Sequence, residues 1–323
     1  MKQDLMKGKK VMYVHGFGSS AQSGTVGRLR QMLPQATVIA YDMPIEPHDA
    51  MALLKEKCAT EKPDLIIGTS MGGLYTEQLY GFDRILINPA FEIDKTMADH
   101  GLTGQQQFFN PREDGVQDFY VDKPLVKRYG EVAAQRFSGV TAEEQKRVYG
   151  LFGDRDELVH TFDMFREHYP NAIPFHGEHR TNEHTFVHYV MPVIRWIDDK
   201  QAQRTRSVIY IALDTLKDGR GMPASSAHKV YEQLIDSYDV FILAPTLSNQ
   251  PEADQEARQW VNEYLNAPAW NHLIFCQQPR LLLGEFLISR QPDTQFIGTN
   301  IEYGSGSFKT WEDVGTFFQR LNP

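Results

Sequence analysis

The stretch Gly68-Thr69-Ser70-Met71-Gly72-Gly73 offers the clearest chemistry in this chain, a serine between glycines in the order G-x-S-x-G. A hydroxyl in that setting acts as a nucleophile when a sharp strand-to-helix turn throws it outward, and flanking glycines let the two elements approach without Cβ clashes. Such a serine needs a base to take its proton, an acid to orient the base, and two N–H donors for the oxyanion of a tetrahedral intermediate. The Met71 N–H, directly after the serine, is the first expected donor. The second is the Phe17 N–H, in the glycine-punctuated turn His15-Gly16-Phe17-Gly18-Ser19-Ser20. Asp156 is the preferred acid in Gly153-Asp154-Arg155-Asp156-Glu157, with Asp154 open as the alternative. A base following the acid in chain order must come from His176-Gly177-Glu178-His179-Arg180-Thr181-Asn182-Glu183-His184. His179 is preferred, lying a few residues past an apolar run that ends at Phe175. His184, the alternative, falls in the first turn of the next helix. His15 precedes the serine and reads as a bracing histidine.

These residues need elements that bring them to one edge. Six short apolar runs, Val11 to Val14, Thr37 to Tyr41, Asp64 to Ile67, Arg84 to Ile87, Val148 to Phe152 and Ala172 to Phe175, alternate with amphipathic stretches. That pattern predicts an α/β fold with a parallel sheet covered by helices. Ser70 then follows the third strand directly. The interval from Phe91 to Lys146 is too long for a plain crossover and is helical in pattern over Lys123 to Arg136, so it is expected to form a helical lid over residues 91–146. Phe91, Phe108, Phe109 and Phe119 are candidates for an acyl pocket or for packing. A polar stretch, Asp198 to Arg206, precedes a fresh strand at Val208 to Leu213, which places a boundary between residues 1–203 and 204–323. Beyond it, strands at Val240 to Leu243 and Leu273 to Phe275 with intervening helices predict a second, smaller Rossmann-like α/β domain.

Composition limits the function classes. With 33 Lys and Arg against 42 Asp and Glu in 323 residues, the net charge is −9, and neither half has the basic excess that binding a phosphate backbone requires. No nucleic-acid partner is expected. The two cysteines, Cys58 and Cys276, have no metal-like spacing. His176, His179, His184 and His188 invite a metal reading, but Asn182-Glu183-His184-Thr185-Phe186-Val187-His188 lacks the H-E-x-x-H pattern, so no metal and no cofactor are expected. A polar start and the lack of any long apolar run point to a cytoplasmic protein without a membrane partner.

The turn at residues 15–20, the glycine-enclosed serine at 68–73 and Ile87-Asn88-Pro89-Ala90 together resemble the α/β-hydrolase superfamily, and more narrowly the small YqiA/YcfP-like esterases, over residues about 9–200. The resemblance implies a Ser70, Asp156, His179 triad, an acyl-enzyme on Ser70, and a small-molecule carboxylic ester or thioester as substrate. A non-catalytic binding or scaffold protein, and an acyltransferase using the same triad, are the alternatives.

Residues about 207–323 resemble haloacid-dehalogenase-like phosphatases of the 5'(3')-deoxyribonucleotidase kind. The cues are Ile209-Tyr210-Ile211-Ala212-Leu213-Asp214, Tyr238 to Leu243, Leu283 to Ile288 and Tyr303 to Trp311. Asp214 holds that family's nucleophile position, but its second aspartate is Leu216 here. A hydroxyl position is Ala244, the lysine region reads Cys276-Gln277-Gln278-Pro279-Arg280, and the magnesium-binding acids are replaced by Ser289-Arg290. Without those groups phosphoryl transfer loses its metal and its proton donor. This half is therefore expected to be non-catalytic, with a structural role such as covering the first domain or forming a homo-oligomer.

Overall fold

Strands β1 (Lys10–Val14), β2 (Thr37–Ala40), β3 (Leu65–Thr69), β4 (Arg84–Ile87), β7 (Val148–Gly153) and β8 (Ala172–Phe175) form a six-stranded sheet in the order β2-β1-β3-β4-β7-β8. Every pairing in it is parallel. Val11, Met12, Leu65, Ile66, Ile67, Ile85 and Leu86 are all buried. A parallel sheet covered on both faces needs such continuous apolar runs. The chain leaves β1 for β2 on one side and returns to place β3 on the other. Loops after β1 and β3 thus diverge at the C-terminal edge, where doubly wound sheets form their crevices.

The computed structural model describes residues 4–245 and 251–321. It divides into two compact units, Met1–Asp198 and Asp199–Pro323. The division falls within helix α9 (Met191–Gln201), five residues before the boundary read at 203/204. Helices α1 (Gly24–Met32), α2 (Pro47–Glu61), α3 (Met71–Glu77) and α7 (Phe162–Arg166) connect strands of the first sheet. After β8 a short helix α8 (Glu183–Thr185) passes through a π-helical turn, Phe186–Val190, into α9.

The insertion between β4 and β7 is only partly the helical lid expected. Helix α4 (Ile93–Asp99) is followed by an antiparallel hairpin, β5 (Gly104–Gln107) with β6 (Asp118–Val121), then by α5 (Lys123–Ala133) and α6 (Ala142–Gln145). Helix α5 starts where the Asp122 carboxylate accepts the Leu125 N–H at 2.7 Å, an N-cap. It buries Leu125, Tyr129, Val132 and Ala133, a stripe at helical spacing. These side chains, with Phe119 and Val121 of β6, belong to the same apolar core as Met12, Val14 and Leu74 beneath them.

The second unit holds a five-stranded parallel sheet, β9 (Val208–Ala212), β10 (Asp239–Ala244), β11 (Leu273–Phe275), β12 (Phe286–Ser289) and β13 (Thr299–Glu302), in the order β11-β10-β9-β12-β13. Helices α10 (Ala227–Ile235), α11 (Pro251–Tyr264) and α12 (Trp311–Leu321) accompany it. Trp311 is fully buried and its indole N–H donates to the Thr215 carbonyl at 2.8 Å. Among the described residues no helix is long and apolar enough to cross a membrane.

Candidate active site

Ser70 is the single residue between β3 and α3, and its backbone has φ 54° and ψ −122°. That conformation is strained for a residue with a Cβ, and surrounding structure must enforce it. The enforcement comes from close packing. A Cβ on Gly68 would lie 2.3 Å from Thr76 Oγ1 and 2.4 Å from the Gly72 carbonyl oxygen, while one on Gly72 would lie 2.2 Å from the Val14 carbonyl oxygen. Only glycine at both positions lets α3 fold back across the ends of β1 and β3. Backbone bonds pin the serine itself: its N–H donates to the Ile87 carbonyl at 3.0 Å, and its own carbonyl accepts from the Ala90 N–H at 3.0 Å.

His179 lies in the loop between β8 and α8, with Nε2 2.9 Å from Ser70 Oγ and Nδ1 2.8 Å from Asp156 Oδ2. With the proton on Nδ1, the ring donates to the carboxylate and accepts from the serine hydroxyl. Asp156 is buried, and its other oxygen accepts the Leu158 and Val159 N–H groups at 2.8 and 3.0 Å. A carboxylate fixed by three donors holds the imbalance of charge and the ring orientation together. Side chains from positions 70, 156 and 179 thus form one hydrogen-bonded chain at the C-terminal edge of the sheet.

The open alternatives are placed elsewhere. Asp154 faces His176, whose Nδ1 is 2.6 Å away, and it also accepts the Gly177 N–H at 3.1 Å. Partial burial pushes the Asp154 carboxyl upward, but the hydrogen bonds from His176 and Gly177 outweigh it and hold the group below its ordinary range. His184 sits in α8 with its ring 4.3 Å from that of His188. His15 is buried at the end of β1, its Nδ1–H donating to the Gly16 carbonyl at 2.9 Å and its Nε2 accepting the Met43 N–H at 3.3 Å. Burial pushes its pKa down to about 4, so near neutral pH the ring is an uncharged brace for the turn.

That turn lies against the serine. A Cβ on Gly16 would be 3.3 Å from Ser70 Cβ, so the Gly16–Phe17 peptide runs alongside it. Met71, the first residue of α3, has an N–H at a position that has no acceptor within the helix. The Phe17 ring packs edge-on against Phe119 at 5.2 Å and Tyr129 at 6.3 Å, which ties the turn to the insertion. Phe91 is core, edge-on to Phe137 at 4.9 Å and parallel to Phe165 at 6.4 Å. Phe109 is 65% exposed, and its ring receives the Arg180 guanidinium at 4.8 Å.

Contacts that sequence reasoning missed hold the surroundings. Asp42 accepts the Ala21 N–H at 2.8 Å with one oxygen and the Glu113 N–H at 2.7 Å with the other, joining the 15–23 turn to the tip of the hairpin. Ser20 Oγ donates to the Pro111 carbonyl at 2.6 Å. The Asn88 amide reaches the backbone of Gly153, Glu178 and His179. None of these pairings has a local signal, because the partners are tens of residues apart.

The model of the Uncharacterised protein family (UPF0227) matches residues 10–177. The chain belongs to this family. The UPF0227 match takes in Phe17, Ser70, Met71 and Asp156 and ends two residues before His179. Among solved structures, the chain is similar to Est1E from Butyrivibrio proteoclasticus with bound ferulic acid. The identity is 15% and the TM-score 0.40, over 61% of this chain and 89% of that one. A soluble variant of monoglyceride lipase from Saccharomyces cerevisiae, in complex with a substrate analogue, gives 14% identity and a TM-score of 0.41 over 60% and 87%. A protein of Vibrio phage KVP40, named as a candidate 5'(3')-deoxyribonucleotidase, is 29% identical over 103 residues. The chain spans 61% of that relative's length, using 31% of its own.

Proposed function

We propose that this UPF0227 member is a serine hydrolase of carboxylic esters or thioesters, with Ser70 as nucleophile, His179 as base and Asp156 as the acid that orients it. The observation carrying the reading is the continuous bond chain from Ser70 Oγ through both nitrogens of His179 to Asp156. In this mechanism Nε2 takes the Ser70 proton as Oγ attacks the acyl carbon. Asp156 stabilises the imidazolium, and the tetrahedral oxyanion is received by the Met71 and Phe17 N–H groups. His179 then protonates the leaving alcohol or thiol. Water attacks the acyl-enzyme with His179 again as base, which restores Ser70.

The second unit has no reaction in this proposal. Asp214 Oδ2 is ion-paired with Arg290 Nε at 3.4 Å, and Leu216, two residues on, is fully buried. An apolar side chain there supplies no proton, and a guanidinium beside the aspartate occupies its charge.

A fluorophosphonate probe on the intact protein tests the reading. Labelling is expected at Ser70 and absent from Ser70→Ala, and a chain-length series of p-nitrophenyl esters and acyl thioesters then ranks substrates. Failure of native protein to label at Ser70, with no turnover across the series, would overturn it.

A further inference from the structure

Asn88 directly follows β4, with a buried side chain and a backbone φ of 44°, in the left-handed region that asparagine tolerates better than most residues. Among the described residues its amide makes three hydrogen bonds, each to a backbone group. Oδ1 accepts the Gly153 N–H at 2.8 Å, while Nδ2 donates to the Glu178 carbonyl at 3.0 Å and the His179 carbonyl at 3.1 Å. One N–H donor and two carbonyl acceptors fix which end of the amide is nitrogen. Gly153 closes β7, three residues before Asp156, and the backbone on either side of Asn88 carries the two bonds to Ser70, through the Ile87 carbonyl and the Ala90 N–H. The Asn88 side chain therefore touches the loops that bear Asp156 and His179, while the backbone beside it is bonded to Ser70.

We infer that Asn88 is a positioning residue for His179, setting the height and angle of the imidazole through the backbone of residues 178 and 179. The inference rests on the hydrolase reading for its kinetic consequence but not for its geometry. An amide is required chemically, because a carboxylate in its place keeps the Gly153 bond yet faces two carbonyl oxygens with no proton to share. The left-handed backbone explains the residue type, and Gly153 adds a constraint, since a Cβ there would lie 2.5 Å from the Gly177 carbonyl oxygen.

Two variants separate positioning from folding. Asn88→Gly keeps the backbone conformation and removes the amide, and Asn88→Asp keeps the shape and removes the donors. Asn171→Ala is the control, as that amide serves the Val148 carbonyl at the far end of β7. Two readouts are taken on the intact, folded proteins: the downfield proton resonance of His179 Nδ1–H, and the pH dependence of fluorophosphonate labelling at Ser70. Both Asn88 variants are expected to lose or shift the resonance and to label about a hundredfold more slowly with a displaced pH midpoint, while Asn171→Ala changes neither. If wild type shows the resonance and the variants lose it without any labelling in wild type, the positioning role stands and the hydrolase reading falls. An unchanged resonance in both folded variants overturns the inference. So does a labelling rate that falls only in proportion to the folded fraction with the pH midpoint kept.

Discussion

Asp154 pairs with His176 and Asp156 with His179, and the site depends on which pair meets Ser70. Asp156 is buried beneath His179, whereas Asp154 is half exposed beside His176. Asp156→Asn is expected to lower turnover by about 10⁴-fold, because the amide stabilises the wrong imidazole tautomer. Asp154→Asn should stay within a few-fold of wild type, and ester turnover of the two purified variants distinguishes them. His15 makes a second prediction. The unfolded chain binds a proton at this imidazole below about pH 6.5, whereas the folded one resists until about pH 4. Stability from this residue is thus full above 6.5 and is lost as the pH falls toward 4, by about 3 kcal/mol in all. Urea melts of His15→Gln at pH 7.5 and 4.5 should show a smaller pH difference than wild type; an equal difference would remove His15 from the acid sensitivity.

Elements differed in how well the sequence announced them. The six strands of the first sheet were readable because burial on both faces demands unbroken apolar runs, as in Leu65-Ile66-Ile67 and Ile85-Leu86-Ile87. Hairpin strand β5 was not, since Gly104-Gln105-Gln106-Gln107 carries neither alternation nor branched residues and gains its conformation from pairing with β6. Strands β12 and β13 were likewise passed over, one seen only as a family cue. The turn at Ser70 was legible from local glycines, but the ties of Asp42 and Asn88 were not, because their partners are fixed only by the sheet order. Gly72→Ala is the sharpest test at this scale. Its methyl group meets the Val14 and His15 carbonyl oxygens, which cannot rotate away. A loss of about 3 kcal/mol or failure to fold is expected in thermal melts, and a midpoint within a degree or two of wild type would contradict the packing. Removing both Asp42 bonds with Asp42→Ala should release the hairpin tip, seen as faster proteolysis within residues 108–117.

At the scale of the molecule, two α/β units with separate cores divide the chain, and the Ser70–His179–Asp156 hydrogen-bonded chain of the proposed site lies in the first. Asp214→Asn in the intact chain is therefore expected to leave ester turnover unchanged and phosphomonoester turnover at background in both proteins. Measurable phosphatase activity abolished by that change would return chemistry to the second unit. Under the proposed function, the twisted backbone at residue 70 also opposes durability to reactivity. An L-residue held at φ 54° and ψ −122° carries a conformational load of about 1–3 kcal/mol that glycine would shed. Ser70→Gly should outlast Ser70→Ala on heating by about 1 kcal/mol, once the greater freedom of unfolded glycine is set against it. Of two chains stripped of the same hydroxyl, the one free to adopt the bend would be the sturdier.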